Sequence, residues 1–342
     1  MDTHRQDYVI IERAVGVVIG GALGDALGAG YEFARAPEPA EVTMLPGTLT
    51  GEQAGHWTDD TAMAIAILEV AAREGTLTTP QAISAVALRF VEWFDSGPRD
   101  VGTHTRRVLS QATADDELSA VAARVQALHP DAAGNGSLMR TGPVALAHLG
   151  NDEELVAAAT AMSELTHAHG DAVAACVLWT AAIDRAVRNG TIEGPRSGIH
   201  LIDETRRSFW DEKITEAETL DPREFSPNGH VVVALQAAWS AIYSTRHEPD
   251  HLVAGLRQAV AIGNDTDTVA AIAGYLLGGC YGIESAPSEW RRNLAGWPPS
   301  YGVDNLIRLA GTAVVRGAGD LNVLGARGFD SKPKSRQRLA FP

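Results

Sequence analysis

Basic charge, cysteine, strand-like alternation and long apolar runs are all scarce in this 342-residue chain. Lys and Arg number 28 against 43 Asp and Glu, a net charge of −15. Non-specific nucleic-acid binding needs a basic surface, so it is not expected. A small polyphosphate held by backbone amides is still allowed, and bound cations would offset part of the charge. The two cysteines, Cys176 and Cys280, lie in apolar helical patterns and read as small core residues, not as a disulfide framework or thiolate metal site. The longest early apolar run, Ala14 to Gly24, is 11 residues and meets Asp25, too short to span a bilayer. The N-terminus has no adjoining signal-type apolar region, so a cytoplasmic location without membrane association is expected. No G-x-G-x-x-G follows a strand, which removes a dinucleotide-binding reading.

Helical periodicity fills the space that strands do not. Helices are predicted at about 8–29, 59–74, 80–95, 100–112, 116–128, 137–149, 152–165, 170–188, 199–217, 229–246, 249–262, 267–281 and 304–316. A hydrophobic fraction of 45% is enough for a large core, and no Gly/Ser-rich linker divides the chain. The expectation is one all-α domain over 8–320, followed by a basic, loosely ordered tail at 321–342. The polar stretch 189–228 reads as an insertion over one face or a long excursion. Gly16, Gly20, Gly24 and Gly28 recur every four residues on the first helix. Each costs roughly 0.5–1 kcal/mol of helix stability, so the stripe implies close helix packing or ligand access.

Two acidic clusters stand about two hundred residues apart, each at the mouth of an apolar helix. They are Trp57-Thr58-Asp59-Asp60-Thr61 and Asn264-Asp265-Thr266-Asp267-Thr268. The plainer reading is helix capping, because Asp and Thr are favoured N-caps and acids suit the positive end of a helix. Yet one cap does not need two carboxylates and two hydroxyls, and the pattern occurs twice. Four carboxylates at one point repel one another, and one or two hard divalent cations would relieve that repulsion. The chain therefore reads as a metal-dependent enzyme with an all-oxygen site.

Other segments carry chemistry less firmly. Gly134-Asn135-Gly136-Ser137-Leu138-Met139-Arg140 is a glycine-bearing turn whose free amides suit phosphate, or else an ordinary turn with a Ser cap. Thr166-His167 closes a helix, where a histidine is usually structural. Asp100 is placed to cap a helix, and Glu32 reads as a solvated loop acid.

Together these segments resemble the ADP-ribosylglycohydrolases. The matching stretches are GALGDALGAGYEF, GHWTDDTAMAI, DVGTHT, GNGSLMR, TH and GNDTDTVAAIAGYLLGGCYG, in the family's order, within about Gly16 to Gly282. The resemblance implies an all-α fold, a single orthogonal multi-helix bundle with a dimetal cleft holding two Mg²⁺ or Mn²⁺ ions. It implies metal ligands Thr58, Asp59, Asp60, Asp265, Asp267 and Thr268. Glu32, Asp60 and Asp265 become the catalytic candidates, with Glu32 gating the site or acting as base. Asn135, Gly136, Ser137 and Met139 would touch the phosphates and distal ribose, His167 would line the ADP-ribose cleft, and Asp100 would lie near the acceptor guanidinium of arginine-directed members. Two departures concern specificity: Ala168-His169 where the family often has Pro-Asp, and Val233 where it often has a polar residue.

The implied activity is hydrolysis of the glycosidic bond between ADP-ribose and an acceptor on an ADP-ribosylated protein or small molecule. Arginine is the expected acceptor, with serine, a nucleobase or a small molecule as alternatives. Rivals are a catalytically silent ADP-ribose-binding module and a pyrophosphate-cleaving phosphohydrolase. The intact carboxylate set argues against the silent module. A monomer is expected.

Overall fold

The computed structural model describes residues 3–113 and 117–318, and the backbone alone of residues 3–7. The basic tail expected at 321–342 lies outside the described residues. The helices are α1 (Thr3–Gly28), α2 (Asp59–Glu74), α3 (Pro80–Asp95), α4 (Thr103–Leu109), α5 (Leu118–Leu128), α6 (Gly142–Leu146) and α7 (Asp152–Glu164). They continue with α8 (Gly170–Asn189), α9 (Glu204–Thr219), α10 (Val231–Ser244), α11 (His251–Ala261), α12 (Thr266–Tyr281), α13 (Ser288–Arg292) and α14 (Val303–Gly317). Strands among the described residues amount to one two-residue antiparallel pair, β1 (Ala295–Gly296) with β2 (Tyr301–Gly302). The fold is the all-α bundle expected. No helix among the described residues is long and apolar enough to cross a membrane.

The bundle is organised around α12. Its side chains are buried from Thr266 through Cys280, as a helix apolar on all faces requires. Its most extensive partner is α1, and the glycine stripe is the reason. A Cβ at Gly20 would overlap the carbonyl oxygen of Gly274, and one at Gly274 would overlap that of Gly20. Gly16 and Gly278 stand in the same reciprocal relation. At the end of the stripe, a Cβ on Gly28 would run into the backbone of Asp267. Backbone-to-backbone packing thus carries the C-terminal turn of α1 to the first turn of α12. Thr266 ties the two by donating its hydroxyl to the Gly28 carbonyl at 2.8 Å.

Other helices enclose this pair by ordinary amphipathic burial. Leu306, Leu309, Ala310, Ala313 and Val314 form one face of α14, which packs on α2 and α1. Trp179 of α8 is fully buried and donates its indole N–H to the Ile272 carbonyl at 2.9 Å. The polar stretch 189–228 is an excursion that packs: Trp210, Ile214 and Ala217 of α9 are buried, and α9 lies against α10. The helix predicted at 137–149 is divided into a 3-10 turn, Leu138–Arg140, and short α6. Pro143 there lacks the N–H that would continue the ladder.

Candidate metal and ligand site

Thr58 and Asp265 occupy the N-cap positions of α2 and α12, yet neither side chain makes a cap hydrogen bond. The amides that a cap would serve at α2 are served from another helix. Asp25, fully buried on α1, accepts from the Thr58 and Thr61 N–H groups at 2.8 and 2.9 Å, and from the Thr58 hydroxyl at 2.8 Å. The Thr58 and Asp59 side chains are therefore free of the capping task. At α12, the first-turn Thr268 N–H is held by the Asp267 carboxylate at 2.9 Å, and Asn228 holds the backbone just before the helix. Its side-chain oxygen accepts from the Asp265 N–H at 3.0 Å, and its amide nitrogen donates to the Phe225 and Gly263 carbonyls. Asn135 then donates to an Asp265 carboxylate oxygen at 2.7 Å.

These supports bring the two clusters together. Carboxylate oxygens of Asp25, Asp60 and Asp267 lie within 4.8 Å of one another, as do those of Glu32, Asp100 and Asp267. Asp267 is common to both trios. The Thr58 hydroxyl oxygen is 2.8, 3.0 and 3.3 Å from carboxylate oxygens of Asp25, Asp60 and Asp267. One hydroxyl proton serves only one of those contacts.

Burial is the largest influence on these acids. It pushes the carboxyls of Asp59, Asp60 and Asp267 well above the usual carboxylate range, with neighbouring acids adding to the effect. Asp25 is raised to about 6, its hydrogen bonds to Thr58 and Thr61 opposing the rise. Glu32 is pushed up to about 9 by burial, then by Asp100, Asp265, Asp59 and Asp25. One oxygen each of Asp60 and Glu32 is buried with no hydrogen-bond partner. Buried carboxylate oxygens in excess of their donors, with no sulfur among them, suit hard divalent cations. The residues gathered here could hold such a cation.

A cleft of about 1220 Å³ opens on one side of the cluster. Thr58, Asp59 and Asp100 are among its lining residues, as are Trp57, Trp297 and Tyr301. The Trp57 indole donates to the Trp297 carbonyl at 2.9 Å, fixing the small β1–β2 hairpin against the mouth of α2.

The glycine-bearing turn lies on another side. The Asn135 N–H donates to the Gly229 carbonyl at 3.1 Å. A Cβ on Gly136 would stand 2.8 Å from the ring of His167, so glycine is what lets this imidazole lie against the turn. His167 is buried and tilted on the His104 ring, centroids 4.8 Å apart. Burial, then Arg140 and His104, lowers the His167 pKa well below its ordinary value, so the ring is neutral. Two predicted contact residues face inward. The Ser137 hydroxyl accepts from Ser163 at 2.9 Å and from the Cys176 thiol at 3.4 Å. Met139 is buried, with its sulfur 3.9 Å from the Thr268 hydroxyl.

Sequence reading missed two residues here. Asp25 had a signal: a lone carboxylate inside an apolar helical run is costly unless it serves something. Asn228 had none, because Pro227-Asn228-Gly229 reads as an ordinary turn.

A model of the ADP-ribosylglycohydrolase family matches residues 6–320. A relative in Rhodospirillum rubrum, named ADP-ribosyl-(dinitrogen reductase) glycohydrolase, is 30% identical over 83% of this chain and 90% of its own. An ADP-ribosylarginine hydrolase, Tri1 of Serratia proteamaculans (strain 568), is 26% identical over 82% of this chain and 74% of its own. A solved structure titled as an ADP-ribosylglycohydrolase-related protein complex superimposes with a TM-score of 0.70 at 27% identity, covering 91% of this chain and 99% of that one.

Proposed function

The chain belongs to the ADP-ribosylglycohydrolase family and is an ADP-ribosyl glycohydrolase, and we propose that it removes ADP-ribose from arginine on a protein, using two Mg²⁺ or Mn²⁺ ions. The observation that carries the metal assignment is the pair of acidic trios sharing Asp267. Thr58, Asp59, Asp60, Asp265, Asp267 and Thr268 would hold the ions, with Asp25, Glu32 and Asp100 close enough to take part. When bound, the cations would neutralise the cluster, engage the ribose diol and make a bound water more acidic.

The chain's own groups divide the remaining work. Glu32, on the loop after α1, carries a proton while the cluster is without positive charge. With cation charge beside it the carboxylate would be ionised and would take a proton from the attacking water as the water oxygen bonds to C1 of the ribose. Asp60 and Asp265 bring negative charge to the oxocarbenium-like centre that develops as the C1–N bond breaks. The proton that Glu32 takes from the water passes to the leaving guanidine, which departs as guanidinium. Asn135 and Gly136 present the turn to the phosphates and distal ribose, with His167 beside them. Met139 and the inward-facing Ser137 support that turn from behind.

Asp100, in the lining of the cleft with Thr58 and Asp59, supports arginine as the acceptor. A carboxylate pairs with a guanidinium through two parallel hydrogen bonds. Arginine-linked ADP-ribose is expected to be cleaved in preference to serine-linked ADP-ribose. Asp100→Ala is expected to lose that cleavage far more than ADP-ribose affinity. Indifference of the wild type to the arginine linkage, or unimpaired cleavage by the variant, would overturn the acceptor assignment and leave the hydrolase class standing.

A further inference from the structure

Arg140 is the most deeply buried cation near the site, fully excluded from solvent, and none of its hydrogen bonds goes to a carboxylate. Its guanidinium lies over the Phe90 ring at 4.3 Å and donates to the Met162 carbonyl at 3.2 Å. Its third hydrogen bond, at 2.7 Å, goes to the Thr166 hydroxyl. That hydroxyl stands 2.8 Å from Nδ1 of His167. Burying a guanidinium without a counter-ion is costly, and an apolar side chain of similar size would fill the same space.

The direction of each proton in this chain follows from donor chemistry. Arginine only donates, so the Thr166 oxygen accepts from it. Thr166 then has one proton to give, and Nδ1 of His167 is the acceptor available to it among the described residues. Were Nδ1 protonated instead, two donors would point at one hydroxyl whose own proton had no partner. The arrangement therefore leaves Nδ1 as the lone-pair nitrogen and puts the ring proton on Nε2. Nε2 makes no hydrogen bond within the described residues and faces the glycine turn, 3.0 Å from where a Gly136 Cβ would stand. The ring is neutral, so the tautomer alone decides whether this nitrogen donates or accepts.

We propose that Arg140 and Thr166 are positioning residues that hold His167 as the Nε2–H tautomer, making it a hydrogen-bond donor to a substrate oxygen, phosphate or ribose, lying over Gly134–Gly136. In the opposite tautomer a lone pair would face a phosphate oxygen and repel it, and a ribose hydroxyl would have to turn its proton to the ring. The donor role rests on the reading that this turn receives ADP-ribose; the tautomer does not.

The two parts are measured separately on the full-length protein. Long-range ¹H–¹⁵N correlation with ¹⁵N-labelled histidine reports the protonated nitrogen of His167 directly, assigned by the signal lost in His167→Gln. Wild type is expected to be protonated on Nε2 alone. Thr166→Val keeps the shape of the side chain but removes the relay. It is expected to populate both tautomers and to weaken ADP-ribose binding, measured by calorimetry, about tenfold. Thr166→Ser, which keeps the hydroxyl, is expected to restore both properties. Protonation of Nδ1 in the wild type would overturn the proposal without any variant having to fold. An unchanged tautomer in folded Thr166→Val, or a changed tautomer with unchanged ADP-ribose affinity, would overturn it as well. Failure of the wild type to bind ADP-ribose would overturn the functional reading and the donor role with it, whatever the tautomer.

Discussion

At the mouth of α2, the backbone amides of the first acidic cluster are held by a carboxylate, Asp25. At the mouth of α12, the Asp265 N–H and the Asp265 carboxylate are held by neutral amides, Asn228 and Asn135, and the Thr268 N–H by Asp267 of the cluster itself. The two clusters have nearly the same composition, yet their supports differ by one full charge. A carboxylate support satisfies N–H groups but adds to the like-charge repulsion it is buried beside. An amide support satisfies the same kind of donor and adds no charge. The support from outside the cluster therefore adds a buried negative charge at the first half of the site and none at the second, although Asp267 of the second half shares the repulsion.

The largest expected effect tests what the halves share. Asp267 belongs to both trios, so Asp267→Asn is expected to lower kcat/KM at least about a thousandfold, roughly 4 kcal/mol of transition-state stabilisation. Asp59→Asn and Asp265→Asn are expected to follow, with helicity by circular dichroism retained. If the clusters only cap helices, asparagine should serve as well as aspartate, and near-normal rates in these variants would restore that view.

A second pair of variants separates the supports. Asn228→Ala removes the acceptor for the Asp265 N–H and the donor to the Phe225 and Gly263 carbonyls. Three buried polar groups lose their partner, so a loss of roughly 3 kcal/mol is expected in urea unfolding, with or without divalent cation. Asp25→Asn keeps an acceptor for Thr58, removes a charge and turns an NH2 donor toward the Thr61 N–H. It is expected to lower Mn²⁺ affinity on the order of tenfold and to cost chelated protein about 1–3 kcal/mol for the unpaired Thr61 N–H. Equal cation dependence in the two variants would erase the distinction between the supports.

The smallest effect lies outside both clusters. His148 is buried, accepts the Leu77 N–H at Nε2 at 3.2 Å and faces Glu154 at 2.9 Å through Nδ1. Burial lowers its pKa in the folded chain, with the Glu154 contact opposing. The unfolded chain therefore binds this proton more readily. Its contribution is present above about pH 6.5 and is lost as pH falls from there through the lowered folded value. His148→Gln should flatten that part of the stability–pH curve. An unchanged slope would assign the acid sensitivity elsewhere, the carboxylate clusters included.

How far the sequence discloses these features depends on how local their causes are. Periodicity and caps are local, so α2 and α3 fall where predicted, and Gly75 ends α2 in the left-handed conformation. The glycine stripe is local in sequence, but what it meets is not: Gly274 and Gly278 lie some 250 residues away on α12. Helix α13 and the β1–β2 hairpin were not predicted, because elements of five and two residues carry too little periodicity to register. The acidic clusters are legible because the same residue types recur at two helix mouths. Asn228 and the path from Arg140 to His167 are not, since each joins common residues only through the folded arrangement.

The central claim is that two cations complete this carboxylate site for cleavage at C1 of an ADP-ribosyl arginine. Its most direct test is hydrolysis of that substrate by chelated protein during titration with Mn²⁺, with bound ions and released product measured together. The account predicts no release without cation, a rise that saturates as two ions bind each chain, and intact ADP-ribose as the product. Undiminished hydrolysis by rigorously metal-free protein, or release of AMP and ribose phosphate instead, would contradict it.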